Sequence, residues 1–163
     1  MSLDLCFERV IAAPPERVFA AFTAREGQRE FYGKDTPGWI VESECDLRVG
    51  GVWSIAFGPS PAELYRHRHE FKAIEPPRRI LVTTKETRLD GSSFHTTSEF
   101  TFESHAGGTL MTMSQTGFQT AKLRDEHTIG VPHAFDRLEG VLGRDPERRK
   151  LDVHFRSVHV DVG

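Results

Sequence analysis

Residues 39–116 break into closely spaced runs of alternating apolar and polar side chains, each closed by glycine, proline or aspartate. Period-two alternation between turn residues requires antiparallel strands joined by short connections, so this segment sets the fold. The runs cover residues 39–46, 51–58, 64–74, 79–87, 94–104 and 108–116. Their separators are Gly50-Gly51, Gly58-Pro59-Ser60-Pro61, Pro76-Pro77, Asp90-Gly91 and Gly107-Gly108. Glycine reaches positive φ at little steric cost and proline donates no ladder hydrogen bond, so both interrupt strands. The run at 94–104 alternates most cleanly, with Phe94, Thr96, Ser98, Phe100 and Phe102 opposed to His95, Thr97, Glu99, Thr101 and Glu103.

The flanks read differently. Residues 3–12 predict a first strand, ended by Ala13-Pro14-Pro15, and Pro15 suits the first turn of a helix. Val18, Phe19 and Phe22 predict that helix over 15–24, and a second short one covers 25–32 with Gly33 as its C-terminal cap. From 119 to 142 the period becomes helical, placing Leu123, His127, Val131, Phe135, Leu138 and Leu142 on one face. Pro132 lacks the amide that would bond the Thr128 carbonyl, which predicts a kink beside Gly130. The order of strand, two helices, six strands and one long helix is that of an α+β domain whose sheet wraps the last helix.

Residues 144–163 form a separate extension. Leu151, Val153 and Phe155 alternate with polar residues, and Val158, Val160 and Val162 continue on the other parity, as a β-bulge near Arg156-Ser157 accommodates. An extra strand of this kind needs a sheet edge, either on its own domain or on a second copy. The favoured expectation is pairing with a second copy, giving a homodimer through residues 151–162.

A chain of 163 residues supports one well-buried core. With 21 basic and 24 acidic residues its net charge is -3, which gives no bulk attraction for nucleic acid or anionic lipid. No apolar run is long enough to span a membrane, and the first residues lack the features of a signal peptide, so a cytoplasmic location is expected. In that reducing compartment Cys6 and Cys45 are expected to be free thiols.

Ala13-Pro14-Pro15-Glu16-Arg17-Val18-Phe19 resembles the opening signature of the START-like, or SRPBCC, superfamily. Asp46-Leu47-Arg48-Val49-Gly50-Gly51-Val52-Trp53 and Glu75-Pro76-Pro77-Arg78-Arg79-Ile80 resemble, more narrowly, the family named after the activator of the heat-shock-protein-90 ATPase. Gly107-Gly108-Thr109-Leu110-Met111-Thr112-Met113 and Asp136-Arg137-Leu138 are similar to that family's later motifs. The resemblance implies a helix-grip (birch-pollen-allergen-like) domain over residues 1–143: a curved seven-stranded antiparallel sheet around the long C-terminal helix, with an apolar cavity between them. The superfamily includes lipid and hormone carriers, polyketide cyclases and co-chaperone domains, so fold leaves activity open. One departure bears on the cavity. Gly130-Val131-Pro132 stands where the family commonly has Gly-Trp, which predicts a larger space between helix and sheet.

Alternation directs Trp53, Ile55 and Phe57, then Phe94, Thr96, Ser98 and Phe100, then Thr109, Met111 and Met113 toward the helix. The cavity candidates are Trp53, Ile55, Phe57, Thr96, Ser98, Met111 and Met113 from the sheet, with Val131 and Phe135 from the helix. Three histidines join them. His67 and His69 share a strand face, a spacing compatible with two metal ligands, but His95 has the opposite parity and nothing completes a set. No metal and no cofactor are therefore expected. His127, on the apolar helix face, reads either as a pocket residue or as a core histidine satisfied by a backbone carbonyl. Arg48 and Arg79 are expected to pair with carboxylates such as Asp46 and Glu75.

Nucleophile elbow, phosphate loop, zinc motif and dinucleotide fingerprint are all missing from the sequence, and no catalytic triad is indicated. The expected function is binding of a small hydrophobic or aromatic ligand. The first alternative is a polyketide-cyclase-like enzyme in which His67, His69 or His127 moves protons. The second is a protein-interaction domain of the chaperone-activator kind.

Overall fold

In the computed structural model, which describes residues 3–33, 37–143, 154–155 and 159–162, the chain opens with β1 (Leu3–Ile11). Pro15 begins α1 (Pro15–Thr23), where its missing amide costs no helical bond. The short α2 (Arg25–Phe31) ends at Tyr32 and Gly33, whose φ of 105° turns the chain away. The strands β2 (Ile40–Cys45), β3 (Val52–Ser60), β4 (Glu63–Glu75), β5 (Arg79–Thr87), β6 (Ser93–His105) and β7 (Gly108–Phe118) follow, then α3 (Ala121–Leu142). All pair antiparallel in the order β2-β3-β4-β5-β6-β7-β1, the curved seven-stranded sheet of a helix-grip fold.

Turn chemistry explains most boundaries. Gly50 adopts a φ of 84°, and a Cβ on Gly51 would stand 2.2 Å from the Asp46 carbonyl oxygen, so the β2–β3 turn needs both glycines. The β3–β4 connection is tighter than its prolines suggest. β3 continues through Gly58-Pro59, its register slipping between Phe57 and Ser60, because a proline is tolerated where pairing is irregular. Arg48 bonds Asp46 at 2.7 Å, and Arg79 bonds Glu75 at 2.7 Å and Glu99 at 2.6 Å, as motif arginines with nearby carboxylates should. Cys6 and Cys45 are free thiols.

Aromatic side chains fill the space between sheet and helices. Phe22 of α1 meets Phe31, Trp53, Phe100 and Phe102 with ring centroids 4.7–6.0 Å apart. Phe135 of α3 lies edge-on to Phe7 at 4.7 Å. Each such ring stabilises the fold by roughly 1.5–3 kcal/mol relative to exposure. α3 starts at Thr120, whose side chain accepts from the Leu123 amide at 3.2 Å. It runs through Pro132 as one helix. β1 holds that stretch: Arg9, 2 % exposed, donates to Glu139 at 2.7 Å, to Asp136 at 2.5 Å and to the Pro132 carbonyl at 3.4 Å.

The tail places two short strands on β1 rather than one. β8 (His154–Phe155) pairs opposite Val10 and Arg9, and β9 (His159–Val162) opposite Leu3 through Cys6. Residues 151–153 and the bulge expected at 156–157 lie outside the described residues. Of the two edges open to such a strand, on its own domain or on a second copy, these residues take the one on their own sheet. Among the described residues, no helix is long and apolar enough to cross a membrane.

Candidate functional site: an aromatic cavity with a buried polar cluster

A cavity of about 300 Å³ lies between the sheet and α3. Its apolar wall includes Trp53, Phe57, Phe94, Phe100 and Met113 from the sheet, with Val131 and Ala134 from the helix. Its polar wall contains Tyr32, His67, His69, Thr84, Glu86, Gln115 and His127. A second depression, of about 570 Å³, is lined by Arg25, Glu42, Arg66, Arg68 and Lys85, so it offers charge where the first offers aromatic surface.

Strand register builds the polar wall. Trp53, His69, Thr84 and Thr96 stand opposite one another across β3, β4, β5 and β6, and Ile55, His67, Glu86 and Phe94 form the neighbouring row. Side chains directly opposite on one sheet face come within contact distance. His69 Nδ1 and the Thr84 hydroxyl are accordingly 2.7 Å apart, and His67 Nε2 lies 3.0 Å from Glu86 Oε1. His127 reaches the same Glu86 oxygen from α3, Nε2 to Oε1 at 2.8 Å. Gln115 Nε2 donates to Glu86 Oε2 at 3.2 Å and to Thr96 Oγ1 at 3.0 Å. Tyr32 closes the group from the end of α2, its hydroxyl 3.0 Å from His67 Nδ1 and 3.1 Å from His69 Nε2.

Charge states follow from these partners. His127 Nδ1 faces the Leu123 carbonyl at 2.8 Å, and a carbonyl only accepts, so Nδ1 carries a proton. Its Nε2 faces a carboxylate, so both nitrogens donate and the ring is an imidazolium. Burial would lower the His127 pKa, but the Glu86 hydrogen bond and charge outweigh it and raise the pKa above its ordinary value. Burial alone would raise the Glu86 pKa. Attraction to His67 and hydrogen bonds from His127 and His67 instead hold it well below the usual carboxylate range. His69 is pushed down to about 3, chiefly by burial and then by His67, so it is neutral. Burial, with the Glu86 charge behind it, raises the Tyr32 pKa well above 10.0 and keeps the phenol protonated.

Of the residues proposed from sequence, Trp53, Phe57, His67, His69, Ser98, Met113, His127 and Val131 line the cavity. Four stand elsewhere. Ile55 and Met111 are fully buried in the core, Phe135 packs against Phe7, and Thr96 stands one bond behind the wall, against Gln115. Glu86 and Tyr32 were missed. Glu86 left a signal, being the one carboxylate on the β5 face that carries Ile80, Val82 and Thr84. Tyr32 left none, because its partners are 35 and 37 residues away. Among the described residues, no group of three or more His, Cys, Asp or Glu side chains is arranged to hold a metal ion.

An antiparallel sheet gripping a long C-terminal helix, with a lined cavity between them, defines a START-like domain. The family model described as Activator of Hsp90 ATPase homolog 1-like protein matches residues 12–143, and the chain belongs to that family. Solved structures share the fold. A protein of Rhizobium leguminosarum matches with a TM-score of 0.77 and 22% identity, over 89% of this chain and 97% of that one. One of Chromobacterium violaceum matches with a TM-score of 0.75 and 21% identity, over 87% and 99%. Protein Ms6760 of Mycobacterium smegmatis gives 0.73 and 22%, over 87% and 91%. No curated protein matches the sequence.

Proposed function

We propose that this protein binds a small hydrophobic or aromatic molecule between its sheet and α3. The observation that carries this is an aromatic-walled space of about 300 Å³ beside a polar cluster that already satisfies its own rings. That volume falls at the lower end of small-molecule sites, and apolar surface removed from water contributes about 25 cal/mol per Å². Gly130 and Val131 line the space where a tryptophan would fill it.

The geometry favours binding over proton-transfer chemistry. Both nitrogens of His67, His69 and His127 are engaged by protein groups, so no ring presents a free nitrogen to a substrate. A general base needs such a nitrogen within hydrogen-bond reach of the proton it takes.

Thermal-shift screening against fatty acids, sterols, flavonoids and aromatic polyketides tests the proposal. A ligand at a hundred times its Kd adds about 2.7 kcal/mol, and the melting midpoint should rise by roughly 5–10 °C for at least one class. Val131→Trp, which fills the space, should remove that rise. A screen in which no class stabilises the protein, or in which Val131→Trp responds like the parent, contradicts it.

A further inference from the structure

Ser98 of β6 and Gln115 of β7 stand directly opposite each other in the sheet wall of the cavity. Each residue is only 3 % exposed, and each leaves a polar atom unused. Among the described residues nothing bonds the Ser98 hydroxyl, and its oxygen keeps accessible surface, so it opens onto the cavity that the residue lines. The Gln115 amide spends both hydrogens elsewhere, Nε2 donating to Glu86 Oε2 at 3.2 Å and to Thr96 Oγ1 at 3.0 Å. Turned over, the amide would set its oxygen against an ionised carboxylate, acceptor to acceptor, so Glu86 fixes its orientation. Gln115 Oε1 is left buried without a partner.

Their neighbours cannot serve them. Val82 and Leu5 continue the same row across the sheet, and Phe100 and Met113 form the next one. A buried polar atom in such surroundings is costly until a partner arrives. Opposite side chains on one sheet face have Cβ atoms about 5 Å apart, a gap that one oxygen can bridge. A hydroxyl meets both needs at once: its O–H donates to Gln115 Oε1, and its oxygen accepts from the Ser98 O–H. A carbonyl or ether oxygen can take the Ser98 proton but faces Oε1 as a second acceptor.

We propose that Ser98 and Gln115 seat a hydroxyl of the ligand, which makes that ligand a phenol or another hydroxylated aromatic molecule rather than a plain hydrocarbon or a ketone. This rests on the cavity being the binding site, as argued above.

Three probes sharing one ring system separate this from binding alone: 2-naphthol, 2-methoxynaphthalene, which keeps the oxygen and lacks the proton, and 2-methylnaphthalene, which has neither. Their affinities are measured at pH 7 by Trp fluorescence in the parent, in Ser98→Ala and in Gln115→Met. The ratio of 2-naphthol to 2-methylnaphthalene affinity should fall by about fivefold in each variant, the worth of one hydrogen bond. The ratio of 2-methoxynaphthalene to 2-methylnaphthalene should fall in Ser98→Ala and not in Gln115→Met, because only the naphthol has a proton to give Oε1. Near-UV circular dichroism confirms each fold, and Ser98→Ala, which removes a single oxygen, carries the test if Gln115→Met unfolds. A naphthol ratio that a folded variant leaves unchanged overturns the inference and leaves the cavity reading intact. Binding of none of the three probes to the parent overturns both.

Discussion

His69 and His127 belong to one cluster and respond to acid in opposite ways. His69 is buried among Tyr32, Thr84 and Trp53, and the folded state holds it neutral with a pKa near 3. The unfolded chain takes up a proton near 6.5, so stability is full above that pH and is lost as pH falls from 6.5 toward 3. The slope in that window approaches about 1.4 kcal/mol per pH unit. Glu86, with its depressed folded pKa, adds a loss of the same sign as pH falls below 4.5. His127 works the other way. Its raised folded pKa gives a contribution complete below 6.5 and lost as pH climbs through the higher folded value. The melting midpoint should therefore peak near pH 6.5 and fall on both sides. His69→Asn should flatten the acid limb and His127→Gln the alkaline limb, as thermal melts from pH 4 to 9 will show. A single rise across that range, or both variants retaining both limbs, contradicts the assignment. Period-two parity already placed both histidines of β4 on one strand face and directed Trp53 toward the helix. Parity says nothing of what stands opposite, so the Glu86 carboxylate that joins His67 to His127 emerged only with the register of β4 against β5.

At the scale of elements, turn residues marked the strands well because glycine and proline act locally. Gly50-Gly51 and Gly107-Gly108 end strands wherever they fall, through φ values of 84° and 83° at Gly50 and Gly107. Pro132 shows the opposite case. Local chemistry predicted a kink there and α3 stays one helix through it, packed through Phe135 and Leu138 and bonded by Arg9 to Pro132, Asp136 and Glu139. Tertiary contacts outweigh one absent amide. The tail was recognisable as strand by its alternation, whereas its partner was not, because any exposed edge satisfies the same backbone groups. β8 and β9 close the outer edge of β1. A chain ending at Gly143 should leave that edge open, raise the mean mass in light scattering at high concentration and lower the melting midpoint. Equal masses and equal midpoints for the short and full chains would contradict this role for the tail.

For the whole molecule, the aromatic and alternating positions were enough to recover a helix gripped by a curved sheet. The cavity was less legible. A volume is what side chains leave unfilled, and Met111 and Met113 have the same parity, the same chemistry and different fates. Met111 is sealed in the core at 0% exposure, while Met113 lines the cavity beside Phe100 and Gln115. That difference supplies the most direct test of binding between sheet and helix. The chain has three methionines, whose methyl groups give resolvable signals after carbon-13 labelling. Titration with 2-ethylnaphthalene should shift the Met113 methyl strongly through ring currents, and leave that of Met111 nearly in place. A Met113 signal that stays put at saturating ligand, or shifts no more than that of Met111, would contradict binding in the cavity.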